Sequence, residues 1–442
     1  MKDNDNDYHT IKYVHSERYL NACSKLPAYN RHSEQPYGSA ANLIQEEIDE
    51  LPSRSELVHS LIEAFGILEK VESIEPEKAL MKDLQIYHSK EYVHALYKID
   101  KSLKARSSLG DKEEDMSDEE VSSDESSNSD NDDATDIEEL KKQFGLVDDA
   151  HDFKGMFNYA LYIGGSCNAI AKEVNHFLKS SSSEERLTIL NFEGGRHHAR
   201  KSRAAGFCYV NDVVMLSLLI KRRKILCIDI DIHHGDGTEE AFFSSERVFT
   251  VSFHQFGPGL YPGTGTTDNN GTGRGKYHNL NVPLKEGLSD KNFERIFTSV
   301  IAKSFEKFEP EVVILVMGAD NLNGDPLGTW NLSLESFEYV TNFVKNELKS
   351  KVTIIVGGGG YNYIHTAIAY ATVSNMMVNN CKLPELIPEH SFFELYKSVG
   401  FSSNVNHGVK RDENTEQYLK EIEQQSIKQI DNIPPKSNAA QI

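Results

Sequence analysis

The chain has 442 residues, with 47 Lys and Arg against 68 Asp and Glu, and a formal net charge of −21 at pH 7. This length is enough for one large α/β domain with tails or for two ordinary domains. The negative balance argues against direct binding to nucleic acid or to an anionic membrane. It is compatible with basic protein partners such as lysine-rich tails.

The N-terminus and the cysteines indicate an intracellular protein with reduced thiols. The first ten residues, MKDNDNDYHT, are polar and acidic, unlike a signal or transit peptide. The five cysteines are scattered and form no CxxC pair, so we expect no disulfide framework. No apolar run reaches the length of a membrane span.

In chain order, the first strong pattern is helical spacing of apolar residues over 55–72. An acidic segment at 105–139 follows, and it has too few apolar residues to offset chain entropy, so we predict that it is disordered. A second helix is predicted over 166–179. Short β-branched runs then predict strands at 187–192, 225–230, 248–253, 312–317 and 353–356.

The predicted strands are apolar on consecutive positions, as in parallel strands covered on both faces. Gly, His or Asp follows each strand within a few residues, which is typical of ligand-binding loops at strand C-termini. We therefore predict an α/β fold with a single open, doubly wound, mostly parallel sheet and helices on both faces. The predicted organisation is a tail over 1–11, one large α/β domain over 12–396 interrupted by the acidic insert, and a C-terminal extension over 397–442.

The strongest local signal is ILCIDIDIHHGDG, in which a buried strand ends in acids and imidazoles. Because alternate residues of a strand share a face, Asp231 and His233 point the same way. A third ligand should come from another strand end, and Asp320 follows the apolar run at 312–317. Three protein ligands would leave a position open, as in a catalytic zinc site, although iron(II) or manganese also suits this set. The alternative is that these side chains form only surface loop contacts.

Two further motifs supply groups that could act beside a metal. His197 and His198 are adjacent, and they are either metal ligands or an acid–base pair that needs carboxylate partners. Asp229 and Asp236 remain available for that task. Tyr361 follows four glycines that let the backbone run close to a ligand, so its phenol could donate to an oxyanion. The alternative is a tight turn with Tyr361 as a packing residue.

The loop at 254–265, HQFGPGLYPGTG, is rich in Gly and Pro and carries aromatic residues. It could form the rim of a narrow channel, with Phe207 facing it, and two aromatic walls would suit the aliphatic stem of an acylated lysine. An ordinary structured loop is equally compatible with this composition.

Together, GGRHHA, GFCYVND, DIDIHHGDG, YPGTG, GAD and GGGGYN resemble, in order and spacing, the motifs of class I zinc-dependent histone deacetylases. The resemblance covers roughly 12–104 and 140–396. With Arg in GGRHHA, where many members have Trp, the chain is most similar to a divergent fungal member of the class. It implies an arginase/deacetylase-like fold and hydrolysis of the acetyl amide of N6-acetyl-lysine in proteins, histones above all. It also implies a role in chromatin and transcriptional repression, a nuclear rather than cytoplasmic site of action, and a corepressor complex as a possible partner.

The resemblance also implies roles for individual positions. Zinc would be bound by Asp231, His233 and Asp320. The catalytic groups would be His197 with Asp229, His198 with Asp236, and Tyr361. A structural potassium ion would involve Asp229, Asp231, His233, Ser252 and Phe253. Substrate would contact Asp149, Gly206, Phe207, Tyr261, Leu327 and Gly359. Arg54 matches an arginine near an internal product-release channel.

Three positions depart from the family pattern. Arg196 replaces a frequent Trp beside the histidine pair, Tyr261 replaces a frequent Phe, and Asp149 is followed by Ala-His. Two other classes stay open: an acetylpolyamine or other small-amide metal hydrolase, and a non-catalytic corepressor scaffold. Arginase-type chemistry needs a second metal and bridging acids, and the His-His pair and the Tyr in this chain disfavour it.

Overall fold

The computed structural model describes residues 9–27, 51–107, 130–221 and 223–434. Its centre is one sheet of eight strands, all pairs of which are parallel, in the order β2-β1-β3-β8-β7-β4-β5-β6. The strands are β1 His9–Val14, β2 Glu72–Ile74, β3 Arg186–Asn191, β4 Ile225–Asp229, β5 Val248–Gln255, β6 Asn279–Leu284, β7 Val312–Val316 and β8 Val352–Val356.

The predicted parallel α/β sheet is confirmed, and each of the five predicted strands is present with bounds shifted by a few residues at most. The central strands β4, β7 and β8 are buried at every position, which explains their unbroken apolar runs. The strands β1, β2 and β6 were not predicted. They lie at the two sides of the sheet, where polar residues interrupt the apolar pattern.

Helices join most successive strands, whereas β5 and β6 are joined by a loop with a short 3-10 turn, Gly273–Gly275. The helices are α1 Glu17–Cys23, α2 Arg54–Ala64, α3 Met81–Leu84, α4 Lys90–Ser107, α5 Asp130–Phe144, α6 Met156–Ser180, α7 Asp212–Leu219, α8 Asp236–Phe242, α9 Asp290–Phe308, α10 Leu334–Asn342, α11 Tyr363–Asn379 and α12 Glu416–Asp431. Among the described residues, none of these helices has the length and apolarity that a membrane span requires.

The two predicted helices are present with different ends. A capping box between Ser53 and Glu56 starts α2. The helix ends before Gly66, because the left-handed φ of 64° at this glycine is incompatible with a right-handed helix. The prediction that this helix reaches residue 72 was therefore wrong. The second predicted helix is the C-terminal part of α6, which starts ten residues earlier at Met156.

Apolar side chains cover the sheet on both faces in two separate clusters. One cluster joins the sheet to α2, α9, α10 and α11, and it includes Trp330. The other joins the sheet to α1, α4, α6 and α7. The predicted three-layer arrangement follows from this, and it leaves the carboxyl ends of the strands as the edge where loops can form a site.

The structure differs from two predictions, one on the acidic insert and one on the C-terminal extension. Helix α5 begins at Asp130, so the prediction of disorder over 130–139 was wrong. Ile137 and Phe144 are buried on one side of α5 and hold it on the domain, while 108–129 lie outside the described residues. Near the C-terminus, α12 packs on α9 and on the edge strand β6, so this part of the extension belongs to the packed structure.

Candidate active site

The predicted site residues meet at the carboxyl edge of the sheet, where β4, β7 and β8 end side by side. Asp229 pairs with Val316 of β7 on one side and with Ser252 of β5 on the other. The chain then leaves β4 through Asp231 and His233, and Asp320 follows β7 in a short 3-10 turn, Ala319–Asn321. Neighbouring strand ends thus position these side chains with little freedom to move apart.

Asp231, His233 and Asp320 form a compact triangle of potential metal ligands. One ligand atom of each lies within 4.8 Å of the others, and His233 Nδ1 is 2.9 Å from Asp320 Oδ2. Zinc–ligand bonds of about 2.0–2.2 Å place donor atoms at this mutual spacing. The donors therefore fit one divalent ion, and three protein ligands leave a coordination position for another group.

Backbone donors orient the two ligand carboxylates. Gly359 N–H donates to Asp231 Oδ2 at 2.6 Å, and Ile232 N–H donates to Asp320 Oδ1 at 3.1 Å. A Cβ atom at Gly359 would lie 2.0 Å from Asp320 Oδ2. Glycine at this position therefore allows the loop after β8 to approach the ligands. Gly359 thus contacts the ligand carboxylates, and its role as a substrate contact stays a prediction.

Each histidine of the predicted pair has its own carboxylate. Nδ1 of His197 lies 2.7 Å from Asp229 Oδ2, and Nδ1 of His198 lies 2.7 Å from Asp236 Oδ1. The two imidazole centroids are 4.0 Å apart. Arg200 donates to the second oxygen of Asp236 at 2.9 Å. Both rings are thereby oriented through Nδ1, which leaves Nε2 as the reactive edge of each ring.

The surroundings give the two histidines opposite protonation states. Burial lowers the pKa of His197, but the charges of Asp229 and Asp231 outweigh burial and raise the pKa to about 9. Burial and the neighbouring His197 lower the pKa of His198 to about 4. At neutral pH the site therefore contains a cationic His197 and a neutral His198 that can accept a proton. A pair of groups with separated pKa values is typical of an acid–base site.

Tyr361 stands on a loop that one buried carboxylate holds. Asp325 Oδ2 accepts the N–H groups of Tyr361 at 2.7 Å and Asn362 at 3.2 Å, and its Oδ1 accepts that of Leu327 at 2.8 Å. The carboxylate thus joins two walls of the site. Burial, with the charges of Asp320 and Asp231, raises the pKa of the Tyr361 phenol well above its usual value. The phenol therefore stays protonated and can donate a hydrogen bond.

His198, His233 and Tyr361 line a cavity of about 660 Å³ that opens to the surface. The Phe207 and Tyr361 rings are 5.6 Å apart, and Tyr261 contacts His198 at a centroid distance of 5.0 Å. The lining residues are Asp149, His198, Gly206, Phe207, Ile232, His233, Gln255, Gly259, Leu260, Tyr261, Pro262, Gly263, Leu327 and Tyr361. The structure thus brings residues of the predicted rim loop and one of the predicted metal ligands, His233, around one pocket.

Gly206 is central to one wall of the pocket. Its N–H donates to Asp149 Oδ2 at 3.0 Å, and a Cβ atom there would lie 2.3 Å from the His198 ring and 2.9 Å from the Tyr261 hydroxyl. Its φ of 53°, followed by 61° at Phe207, is left-handed backbone that favours glycine. Close packing against His198 therefore requires glycine at position 206.

The remaining predicted residues contact the loops and strands that carry the site. Arg54 donates from one guanidinium nitrogen to the carbonyls of Gly358 at 3.0 Å and Gly360 at 3.4 Å, so it contacts the loop that carries Tyr361. Ser252 and Phe253 lie on β5, where Ser252 pairs with Asp229, and the potassium site stays a prediction.

Several supporting residues were not predicted. Their partners are backbone groups of distant loops: Asp325 holds the Tyr361 loop, Asp212 accepts the N–H groups of Gly195 and Arg196, and Asn211 donates to the carbonyls of His197 and Ala199. Their position was the available signal: Asn211 and Asp212 lie inside the motif GFCYVND, and Asp325 follows the motif GAD by a few residues.

His88 supports the histidine loop and yields a prediction about acid stability. Its Nδ1 lies 3.1 Å from the Arg200 carbonyl, and its Nε2 accepts Asn211 N–H at 3.0 Å. This arrangement requires a neutral ring, and burial lowers the pKa of His88 from 6.5 to about 4. The unfolded chain takes up this proton between pH 6.5 and 4, whereas the folded chain does not. The stability from this group is therefore complete above pH 6.5 and is lost as pH falls through that window.

We expect His88 to contribute roughly 3 kcal/mol to the fall in unfolding free energy between pH 6.5 and pH 4. Denaturant unfolding of the wild type and of His88→Gln at several pH values measures the contribution as a difference in slope. The exposed His407, changed to Gln, is the matched control. Equal slopes for the wild type and His88→Gln would contradict the assignment.

A parallel α/β sheet with an Asp–His–Asp triangle and a paired-histidine dyad at its carboxyl edge defines the class of metal-dependent hydrolases. Residues 48–377 match the family model of the histone deacetylase domain. Histone deacetylase 8 of Xenopus tropicalis is 34% identical over 419 residues, which cover 94% of this chain and 96% of that protein. Human histone deacetylase 1 is 32% identical over 385 residues, which cover 87% of this chain and 71% of that protein. The chain belongs to the histone deacetylase family, whose members are hydrolases that remove acetyl groups from lysine.

Proposed function

We propose that the chain is a zinc-dependent protein lysine deacetylase that hydrolyses the acetyl amide of N6-acetyl-lysine, with histone tails among its substrates. One observation supports this above all: His198, His233 and Tyr361 line the same pocket. A neutral base, a metal-ligand set and a phenol donor at one point are what amide hydrolysis needs.

Three side chains could bind the metal ion. Asp231, His233 and Asp320 would bind the ion, and two carboxylates with one imidazole also suit iron(II) or manganese. When bound, zinc would supply Lewis-acid polarisation of the acetyl carbonyl and lower the pKa of the attacking water towards about 7.

The protein's own groups then handle the protons. His198, neutral at pH 7 and oriented by Asp236, takes the proton from the attacking water at Nε2 and afterwards delivers a proton to the lysine amine. His197, cationic beside Asp229, stabilises negative charge in the site. Tyr361 donates its phenol proton in a hydrogen bond to the tetrahedral oxyanion.

The pocket suits a long aliphatic stem that ends in a small amide. Phe207 and Tyr261 would flank the lysine methylenes, and Leu327 adds a further apolar wall. At the rim, Asp149 would accept main-chain N–H groups of a peptide, and the Gly206 carbonyl would accept the substrate amide N–H. The net charge of −21 favours approach by basic tails.

Several wider assignments belong to the same proposal. A potassium ion beside β5 would involve Asp229, Asp231, His233, Ser252 and Phe253, and Arg54 would border a product-release channel. Residues 12–396 would be the catalytic domain. In the cell, the protein would act on chromatin in the nucleus, in a corepressor complex that represses transcription.

Parallel assays of the full chain on an acetyl-lysine histone-tail peptide and on acetylspermidine test the function. We expect turnover of the peptide, more than about tenfold loss of activity with a chelator, and recovery on addition of zinc. Asp231→Asn should lose both bound zinc and activity, whereas Asp268→Asn, in the loop after the rim, should lose neither. Turnover of acetylspermidine alone, or full activity of a metal-free sample, would refute the proposal.

A further inference from the structure

A buried ion pair joins the last turn of helix α5 to the segment at the mouth of the pocket. The Lys141 amine lies 3.1 Å from Asp152 Oδ2, and the two side chains are only 11% and 14% exposed. The amine also donates to Glu138 at 2.8 Å, but that carboxylate is 57% exposed. Lysine is almost never buried unless it is paired, because removing its charge from water is costly. The pair therefore fixes Asp152 relative to α5.

The segment 149–152 connects this ion pair to the pocket wall. Asp149, its first residue, lines the pocket, and its Oδ2 accepts the N–H of Gly206 at 3.0 Å. Towards the other end of the segment, the His151 carbonyl accepts the Tyr209 hydroxyl at 2.6 Å. The segment is thus bound to the pocket wall on one side and, through the ion pair, to α5 on the other.

Helix α5 also holds the pocket wall directly. The carbonyl of Phe144, its last residue, accepts the N–H of Ala204 at 2.9 Å, and Ala204 lies two residues before Gly206. Phe144 and Ile137 are buried in the apolar cluster on this face of the sheet, so the end of α5 is anchored to the domain. A binding group keeps its position when packed elements and hydrogen bonds support it in this way. The end of α5 therefore determines where the Asp149 carboxylate stands.

We propose that Lys141 is a positioning residue that holds Asp149 where it accepts main-chain N–H groups of the substrate, so that the site selects peptides over small acetylated amines. This inference rests on the proposed function, which gives Asp149 that contact. Lys141 does not line the pocket, so it acts through Asp152 and the backbone between Asp152 and Asp149. Its loss should raise KM for peptides and leave kcat unchanged, because it weakens binding of the ground state and the transition state alike.

The test compares a histone-tail peptide that carries acetyl-lysine with a depsipeptide of the same sequence, in which esters replace the main-chain amides on both sides of acetyl-lysine. We expect Lys141→Met to raise KM of the zinc-loaded full chain for the peptide by about tenfold, with kcat unchanged. KM for the depsipeptide should change little, because its esters have no N–H for Asp149 to accept. Lys142→Met, at the next and exposed position of α5, is the matched control, and Lys141→Arg should retain the wild-type KM.

A second set of variants separates positioning from a loss of folding. Asp152→Asn should raise KM for the peptide as Lys141→Met does. The double variant, which leaves neither charge of the pair buried, should be no worse than either single variant. Glu138→Gln changes only the exposed partner and should stay near the wild type. An unchanged peptide KM in the folded double variant, or equal losses for the peptide and the depsipeptide, would overturn the role of Lys141.

A binding measurement keeps this inference separate from the proposed function. The probe is a fluorescent histone-tail peptide in which a methyl ketone of the same length replaces the acetamide, so that no amide can be hydrolysed. Anisotropy with the zinc-loaded full chain should give a Kd about tenfold higher for Lys141→Met than for the wild type or Lys142→Met. Peptide binding that depends on Lys141 in a protein without deacetylase activity would support the positioning role and refute only the reaction. Turnover of the acetylated peptide with one and the same KM in Lys141→Met and the wild type would refute the positioning role and leave the reaction intact.

Discussion

Replacing His198 with alanine should lower kcat for an acetyl-lysine peptide by about 100- to 10,000-fold, the range for loss of a positioned general base. The reason is the division of protonation between the two histidines. His197 beside Asp229 has a pKa of about 9 and is already charged, whereas burial and His197 keep the pKa of His198 near 4. His198 is therefore the member of the pair that can take a proton at neutral pH. The measurement is steady-state turnover with zinc content determined on the same samples.

Matched variants separate this role from a general disturbance of the site. His407→Ala removes an exposed imidazole and should leave kcat unchanged. Asp236→Asn keeps the shape of the orienting side chain but loses the charge that His198 and Arg200 share, so its kcat should lie between His198→Ala and the wild type. Turnover in His198→Ala above a tenth of the wild-type value, with zinc bound, would assign the base to another group.

The sequence predicts those elements of the fold whose burial is visible in their own run of residues. The strands β4, β7 and β8 are buried on both faces, so nearly every position must be apolar and the run is visible in the sequence. The strand β6, NLNVPL, carries Asn279 and Asn281, whose side chains donate to Glu239. These asparagines find their partners on a distant helix and in the loop that contains Asn269, so the local pattern does not indicate a strand.

The same distinction holds for the site. Asp231 and His233 are two residues apart on one strand end, and Asp320 follows the neighbouring strand, so sheet geometry alone predicts that they converge. The support from Asp325 and His88 depends on loops that lie up to 123 positions away in the chain, as for His88 and Asn211. No spacing rule links such residues, because their partners are backbone N–H and carbonyl groups that carry no sequence signature.

Tyr361→Phe is expected to lower kcat by about 100- to 1000-fold while KM changes little, because the phenol donates mainly to charge that develops in the transition state. The aromatic ring, its 5.6 Å contact with Phe207 and the loop hydrogen bonds to Asp325 all remain in this variant. Initial-rate assays at saturating peptide give kcat. Tyr339→Phe, away from the pocket, is the control for loss of a tyrosine hydroxyl.

A second variant distinguishes the donor from its position. Asp325→Asn keeps the Tyr361 hydroxyl but weakens the carboxylate that accepts two N–H groups of its loop, so it should lower kcat by about tenfold, less than Tyr361→Phe does. If the phenol donates to the oxyanion, the double variant Tyr361→Phe with Asp325→Asn should have nearly the same kcat as Tyr361→Phe alone. A phenyl ring donates no hydrogen bond, so its position no longer affects the rate. Fully multiplicative losses would instead mean that Asp325 acts on the reaction through Leu327 and the opposite wall, and near-wild-type kcat in Tyr361→Phe would remove the phenol from the chemistry altogether.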